Sequence, residues 1–166
     1  RSGITFAAAL DDHRAIILTG ENENYAAVID AADRKVVSGF YLEVPMVYGK
    51  RTYDCKENMF VYRASDFNIY VYDAAKGQQL ACISSEVPDG ECHFSDVKIS
   101  HDGKKIAAGS DQGLMIYDIE KKQQLTTDMP PVEKVTWIDD THVACEQYQI
   151  VQDAMDSSDV WMRQKS

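Results

Sequence analysis

Leu114-Met-Ile-Tyr-Asp-Ile-Glu-Lys-Lys-Gln-Gln-Leu125 decides how this 166-residue chain folds, because its pattern occurs three times. From the aspartate onward, Asp118-Ile-Glu-Lys-Lys-Gln-Gln-Leu125 aligns without gaps to Asp73-Ala-Ala-Lys-Gly-Gln-Gln-Leu80 and Asp30-Ala-Ala-Asp-Arg-Lys-Val-Val37. The aspartates are 43 and 45 residues apart. Self-similarity at such a period marks a repeat architecture and outranks any local signal. Ahead of each aspartate stands a run suited to a strand: Tyr25-Ala-Ala-Val-Ile29, Ile69-Tyr-Val-Tyr72 and Leu114-Met-Ile-Tyr117. β-Branched and aromatic residues bounded by turn formers are the signature of a pleated, half-buried segment.

Working outward, a second strand precedes each of these, at 15–20, 59–64 and 105–109. The connections are Glu21-Asn-Glu-Asn24, Ser65-Asp-Phe-Asn68 and Ser110-Asp-Gln-Gly113, rich in the residues that tolerate positive φ and bond their own backbone. Each unit is therefore expected to be an antiparallel meander. All four prolines (Pro45, Pro88, Pro130, Pro131) fall between units, where no ladder hydrogen bond is lost. Glu43-Val-Pro45 and Glu86-Val-Pro88 repeat at the same 43-residue spacing. A fourth unit is less regular: Lys134-Val-Thr-Trp-Ile138, the turn Asp139-Asp-Thr-His142, a strand over 143–151, and Val160-Trp-Met-Arg163 as a third strand.

Units of 40 to 45 residues with about four strands each have the spacing of propeller blades. Helical repeats have similar lengths, but the Asn/Gly hairpins and period-two runs disfavour them. The chain is expected to be all-β, with blade 1 at about 4–42, blade 2 at about 48–85, blade 3 at about 92–128 and an incomplete blade 4 at about 132–166. The recurring Asp30, Asp73 and Asp118 are expected to be structural and to bond the following turn. Tyr25, Tyr70, Tyr72 and Tyr117 are assigned mainly to packing between blades.

The third unit, Val97-Lys-Ile-Ser-His-Asp-Gly-Lys-Lys-Ile-Ala-Ala-Gly-Ser-Asp-Gln-Gly-Leu-Met-Ile-Tyr-Asp118, resembles a WD40 repeat. In that family a strand ends at Ser-Pro-Asp-Gly, a second ends in Gly-Ser, and a third ends in Trp-Asp. Here His101 stands in the place of the proline and Tyr117-Asp118 in that of Trp-Asp, with Tyr72-Asp73 and Ile29-Asp30 equivalent in the earlier units. Asp66 and Asp111 match the hairpin aspartate of the family's buried hydrogen-bond network, with Glu23 as a longer counterpart. The family's Gly-His pair is replaced near Asp89-Gly90, so that network is incomplete. The resemblance implies a scaffold presenting loops to proteins or peptides. It also implies that these blades form part of a seven- or eight-bladed propeller, WD40 in the strict sense or related to it. The remaining blades are then supplied by another segment or another chain.

Composition narrows the partners. The net charge of -10 has its acidic residues dispersed, a balance that disfavours phosphate backbones and favours a partner with a basic surface. The longest aliphatic run, Ala15-Ile-Ile-Leu18, is far shorter than a bilayer span, so no membrane partner is expected. The chain opens Arg1-Ser2-Gly3 without an initiator methionine, as either a cloning scar or an internal cut would leave it. Cys55, Cys82, Cys92 and Cys145 form no C-x-x-C pair and are expected to be free, buried thiols, which fits a cytoplasmic or other intracellular setting.

No nucleophile elbow, phosphate-binding loop, H-E-x-x-H helix or dinucleotide glycine pattern is present, so neither catalysis nor a cofactor is expected. His13, His101 and His142 occupy equivalent turns in different blades and are read as solvated turn residues rather than metal ligands. Cys92-His93 is the nearest approach to a catalytic pair, but adjacent residues in an extended segment point to opposite faces.

Loops on a rigid scaffold are the better candidates for function. Val44, Met46, Val47 and Tyr48 make one link unusually apolar, and Asp66, Phe67 and Asn68 place an aromatic at a hairpin tip. Either an anchor for a partner or packing onto a neighbouring blade accounts for such residues. The function expected is a non-enzymatic protein-interaction scaffold that binds through inter-blade and hairpin loops. The alternative is an accessory or sensor propeller of a larger enzyme or nucleotide-driven switch whose catalytic part lies outside this chain.

Overall fold

A computed structural model describes residues 3–19, 24–84, 93–127, 129–152 and 159–163. All regular structure among them is β, in four antiparallel sheets whose strands follow chain order. The first sheet contains β1 (Ile4–Ala9), β2 (Arg14–Thr19), β3 (Tyr25–Asp30) and β4 (Lys35–Tyr41). The second contains β5 (Tyr53–Lys56), β6 (Met59–Arg63), β7 (Ile69–Asp73) and β8 (Gln78–Ile83). The third contains β9 (Phe94–Ile99), β10 (Lys105–Ser110), β11 (Gly113–Asp118) and β12 (Gln123–Thr126). The fourth contains β13 (Val132–Trp137), β14 (Val143–Gln152) and β15 (Asp159–Arg163). The chain divides into two compact units, Arg1–Pro88 and Asp89–Ser166, each holding two sheets.

The repeat aspartates close the turn between the third and fourth strands of a sheet. The Oδ1 of Asp30 accepts the N–H of Asp33 at 3.0 Å, that of Asp73 the N–H of Lys76 at 3.1 Å, and that of Asp118 the N–H of Lys121 at 2.9 Å. Four residues past each aspartate the chain turns left-handed, at Arg34 (φ 54°), Gly77 (φ 63°) and Lys122 (φ 53°). That conformation costs an L side chain about 1 to 2 kcal/mol, so the side-chain bond must hold the turn in two of the three cases. Glycine at 77 has an added reason: a Cβ there would lie 2.9 Å from the Cβ of Phe40.

Within the first unit, the second sheet lays aromatic side chains against aliphatic ones of the first. Ile16, Leu18, Ala26, Val28 and Phe40 meet Phe60, Tyr62, Tyr70 and Tyr72 in one core. Phe40 stacks on Tyr72 at 5.5 Å and Tyr62 stacks on Tyr70 at 5.7 Å between ring centroids. Burying each such side chain stabilises by about 1.5 to 3 kcal/mol. Polar links cross the same junction: Ser38 Oγ donates to the Ala74 carbonyl at 2.6 Å, and Arg14 Nη1 to Asn58 Oδ1 at 2.6 Å.

In the second unit Ala107, Leu114, Val132, Val135 and Trp137 form the core between the third and fourth sheets. Asp96, 1% exposed, joins them: its Oδ1 accepts the N–H of Val97 at 3.0 Å and its Oδ2 the N–H of Val135 at 2.9 Å. Trp137 Nε1 donates to the Lys98 carbonyl at 3.1 Å, and the Asp102 N–H to Asp140 Oδ1 at 2.8 Å. Gly109 lets the sheets approach, since a Cβ there would lie 2.8 Å from Val132 Cγ1. Asp96→Ala leaves the Val135 N–H of β13 buried and unpaired. It is expected to lower the unfolding free energy by about 1 to 3 kcal/mol in urea titrations, whereas the exposed Asp33→Ala is expected to leave the urea midpoint unchanged.

Candidate functional site

The apolar link and the β6–β7 hairpin, far apart in sequence, are brought together in the first unit. Met46 forms an isolated antiparallel bridge with Ala64. The Val47 N–H donates to the Arg63 carbonyl at 2.9 Å and the Ser65 N–H to the Pro45 carbonyl at 2.9 Å. The link thus runs as a short extra strand antiparallel to the end of β6, with Pro45 beside Ser65 at the hairpin end and Tyr48 continuing away from the hairpin tip.

Two tyrosine hydroxyls fix the start of the link. Tyr62 donates to the Val44 carbonyl at 2.8 Å, and Tyr72 accepts the Glu43 N–H at 3.0 Å while donating to Gln79 Oε1 at 3.1 Å. Burial pushes the Tyr62, Tyr70 and Tyr72 hydroxyls above their ordinary range, so all three stay neutral. Desolvation likewise pushes the Cys55 thiol up to about 12. The far end of the link closes on itself, with Thr52 Oγ1 donating to the Gly49 carbonyl at 3.0 Å.

The hairpin is held by Asp66. Its Oδ1 accepts the Asn68 N–H at 3.1 Å, and its Oδ2 accepts Asn68 Nδ2 at 3.0 Å and the Tyr70 hydroxyl at 2.8 Å. Phe67, at the tip, has φ 69° and is 38% exposed. A bulky residue in that region is a strained one. Tyr48 is 41% exposed, its ring 6.1 Å from that of Phe6 and its hydroxyl 3.3 Å from Thr5 Oγ1.

The other candidates lie deeper. Met46 is only 5% exposed and belongs to the core of the unit, so internal packing accounts for it and it offers no side chain to a partner. Val44 and Val47 are half-buried, Asp66 is exposed, and Asn68 is half-buried. The backbone at the start of this link is satisfied by Tyr72, which sequence patterning assigns mainly to packing between blades, and by Tyr62, to which sequence patterning assigns no role. Only the coincidence of an aromatic-rich strand pair with an apolar link hinted at that second role.

The histidine turns are exposed, and among the described residues no group of acidic, histidine or cysteine side chains is arranged to hold a metal ion. At one of these turns, Asp139 accepts the Thr141 and His142 N–H groups and contacts the imidazole, which together hold its carboxyl below the usual range. Cys55, Cys82 and Cys145 are free, but none is buried. Cys82 lies on the outermost strand of its sheet and is exposed, which corrects the expectation of buried thiols. Cys92, Glu23, the 20–23 connection, and the segment with Pro88, Asp89 and Gly90 lie outside the described residues.

No protein-family model matches this chain, and no curated protein does. Solved structures do. The Myceliophteria thermophila Cps50 (Swd1) β-propeller domain superposes with a TM-score of 0.62 at 14% identity, over 87% of this chain and 50% of that one. KlHsv2 with its loop 6CD replaced by a Gly-Ser linker gives 0.60 at 12% identity, over 96% of this chain and 57% of that one. BamB from Moraxella catarrhalis gives 0.54 at 13%, over 85% and 39% respectively. At such identities the likeness is one of fold, and this chain spans only about two fifths to three fifths of each matched chain. The chain has the fold of a set of β-propeller blades.

Proposed function

We propose that this chain is a non-enzymatic interaction scaffold that engages a protein or peptide partner through the link carrying Tyr48 and the hairpin carrying Phe67. The propeller fold supports interaction as the general role. The observation that carries this reading is Phe67, an exposed aromatic at positive φ at the tip of a hairpin held by Asp66. Backbone strain of order 1 to 3 kcal/mol persists where something other than stability retains it. Exposed aromatics on rigid supports are the residues that dominate interfaces. The dispersed acidity of the chain favours a partner with basic residues around its contact.

Stability and binding separate at this surface. Met46→Ser is expected to cost about 2 to 5 kcal/mol in chemical unfolding, because it empties a core position. Phe67→Gly relieves the left-handed residue and is expected to stay within about 1 kcal/mol of the parent. Affinity capture from the native host, quantified by mass spectrometry, tests the function. Tyr48→Ser with Phe67→Ser is expected to lower recovery of specific partners at least tenfold with the melting temperature within a few degrees of the parent. Undiminished recovery by the folded double variant removes this surface from consideration.

A further inference from the structure

The outermost strands β4, β8 and β12 occupy the same place in the repeat but end their sheets differently. In β4 and β8 the ladder to the neighbouring strand slips by one residue, leaving Val37 and Leu80 as extra residues at equivalent repeat positions. A bulge on an edge strand bends it and discourages a further strand from pairing. β12 has no such slip. Gln123–Thr126 pairs with Asp118–Met115 in unbroken register, and the Thr127 N–H extends the ladder to the Leu114 carbonyl at 2.9 Å. Backbone groups along an antiparallel strand point alternately toward and away from the neighbour. With Thr127 directed at β11, the backbone groups of Gln124 and Thr126 are directed outward.

An open cavity of about 480 Å³ lies beside this edge. Ile116 and, opposite it in the ladder, the 63% exposed Leu125 form its apolar part, and Lys105, Asp118 and Lys121 its polar end. Gln124 also lines it, and since neighbouring residues of a strand face opposite ways, the cavity reaches the edge itself. Two lysines against one carboxylate are an excess of positive charge in a chain whose net charge is -10. Lys105 Nζ is engaged by the Asp140 carbonyl at 3.2 Å, and Glu120 of the adjoining turn is held by Lys104 at 3.2 Å. Lys121, exposed and 3.8 Å from Asp118, is therefore the cation that a ligand meets.

We infer that the β12 edge docks an extended peptide segment of a protein partner, which adds antiparallel as a fifth strand, sets an aliphatic side chain on Ile116 and Leu125, and places a carboxylate at Lys121 two residues later. The order follows from the register. The Ile116–Leu125 row and the Lys105–Asp118–Gln123 row share a face two residues apart, and the charged row lies at the start of β12. An antiparallel strand passes Leu125 first and reaches Lys121 next. Blades stack through the faces of their sheets, whereas this site is an outer edge. Tyr48 and Phe67 belong to the first unit and β12 to the second, so the two sites stand or fall independently.

The test selects random decapeptides displayed on phage against the natural full-length protein. The expected consensus is an aliphatic residue followed two positions later by aspartate or glutamate. Bound peptide is expected to slow amide exchange at Gln124 and Thr126 at least tenfold, with Leu125, already directed at β11, unchanged. Gln124→Pro removes one outward N–H and spares the bonds to β11, a position where an edge strand tolerates proline. It is expected to weaken binding at least tenfold, as is Leu125→Lys, and Lys121→Glu is expected to abolish the preference for an acidic residue. Tyr48→Ser with Phe67→Ser is expected to change nothing. The inference is overturned if no such consensus emerges, if protection maps away from residues 124–126, or if folded Leu125→Lys binds as the parent does. Self-association of the protein that protects the same amides without peptide would assign the edge to a second copy and overturn it as well.

Discussion

A phenol buried in a sheet junction needs a hydrogen-bond partner, and in the first unit that requirement sets the path of the chain. The aromatic face of β6 and β7 supplies the bulk that fills the space against the first sheet, and Tyr62 is fully buried in doing so. Its hydroxyl, and that of Tyr72, find partners in the backbone of residues 43 and 44 as the chain leaves the first sheet. An unmet hydroxyl there would cost about 1 to 3 kcal/mol, so the link is drawn across the end of the second sheet instead of looping into solvent. The bridge between Met46 and Ala64 follows from that path. Through it, the start of the link is tied to the base of the hairpin.

The repeat was the most legible feature because each of its parts has a local cause. An aspartate followed by a turn needs only its own side chain and the next few amides, so Asp30, Asp73 and Asp118 announce the turns they close. The run 69–72 was legible as a strand because its β-branched and aromatic residues are continuous and all buried. β5 was harder to see: Tyr53-Asp-Cys-Lys56 is short, and every residue in it is half-buried, so no alternation marks it.

Less of the site was legible. An apolar link reads the same whether it faces a partner or a neighbouring sheet, and only the tertiary placement of Met46 in the core separates it from the exposed Tyr48 a few residues later. The left-handed conformation of Phe67 has no sequence signal, because asparagine or glycine is what that position would advertise.

Amide hydrogen exchange at Glu43 in Tyr72→Phe tests most directly whether the buried phenols hold the link. The ring and its stacking on Phe40 remain in this variant, while the acceptor of the Glu43 N–H is gone. If the hydroxyl holds the link, Glu43 exchanges about five- to tenfold faster, as loss of about 1 kcal/mol of local protection requires, with amides in the centre of β7 unchanged. Equal Glu43 protection in the folded variant and the parent would contradict that account.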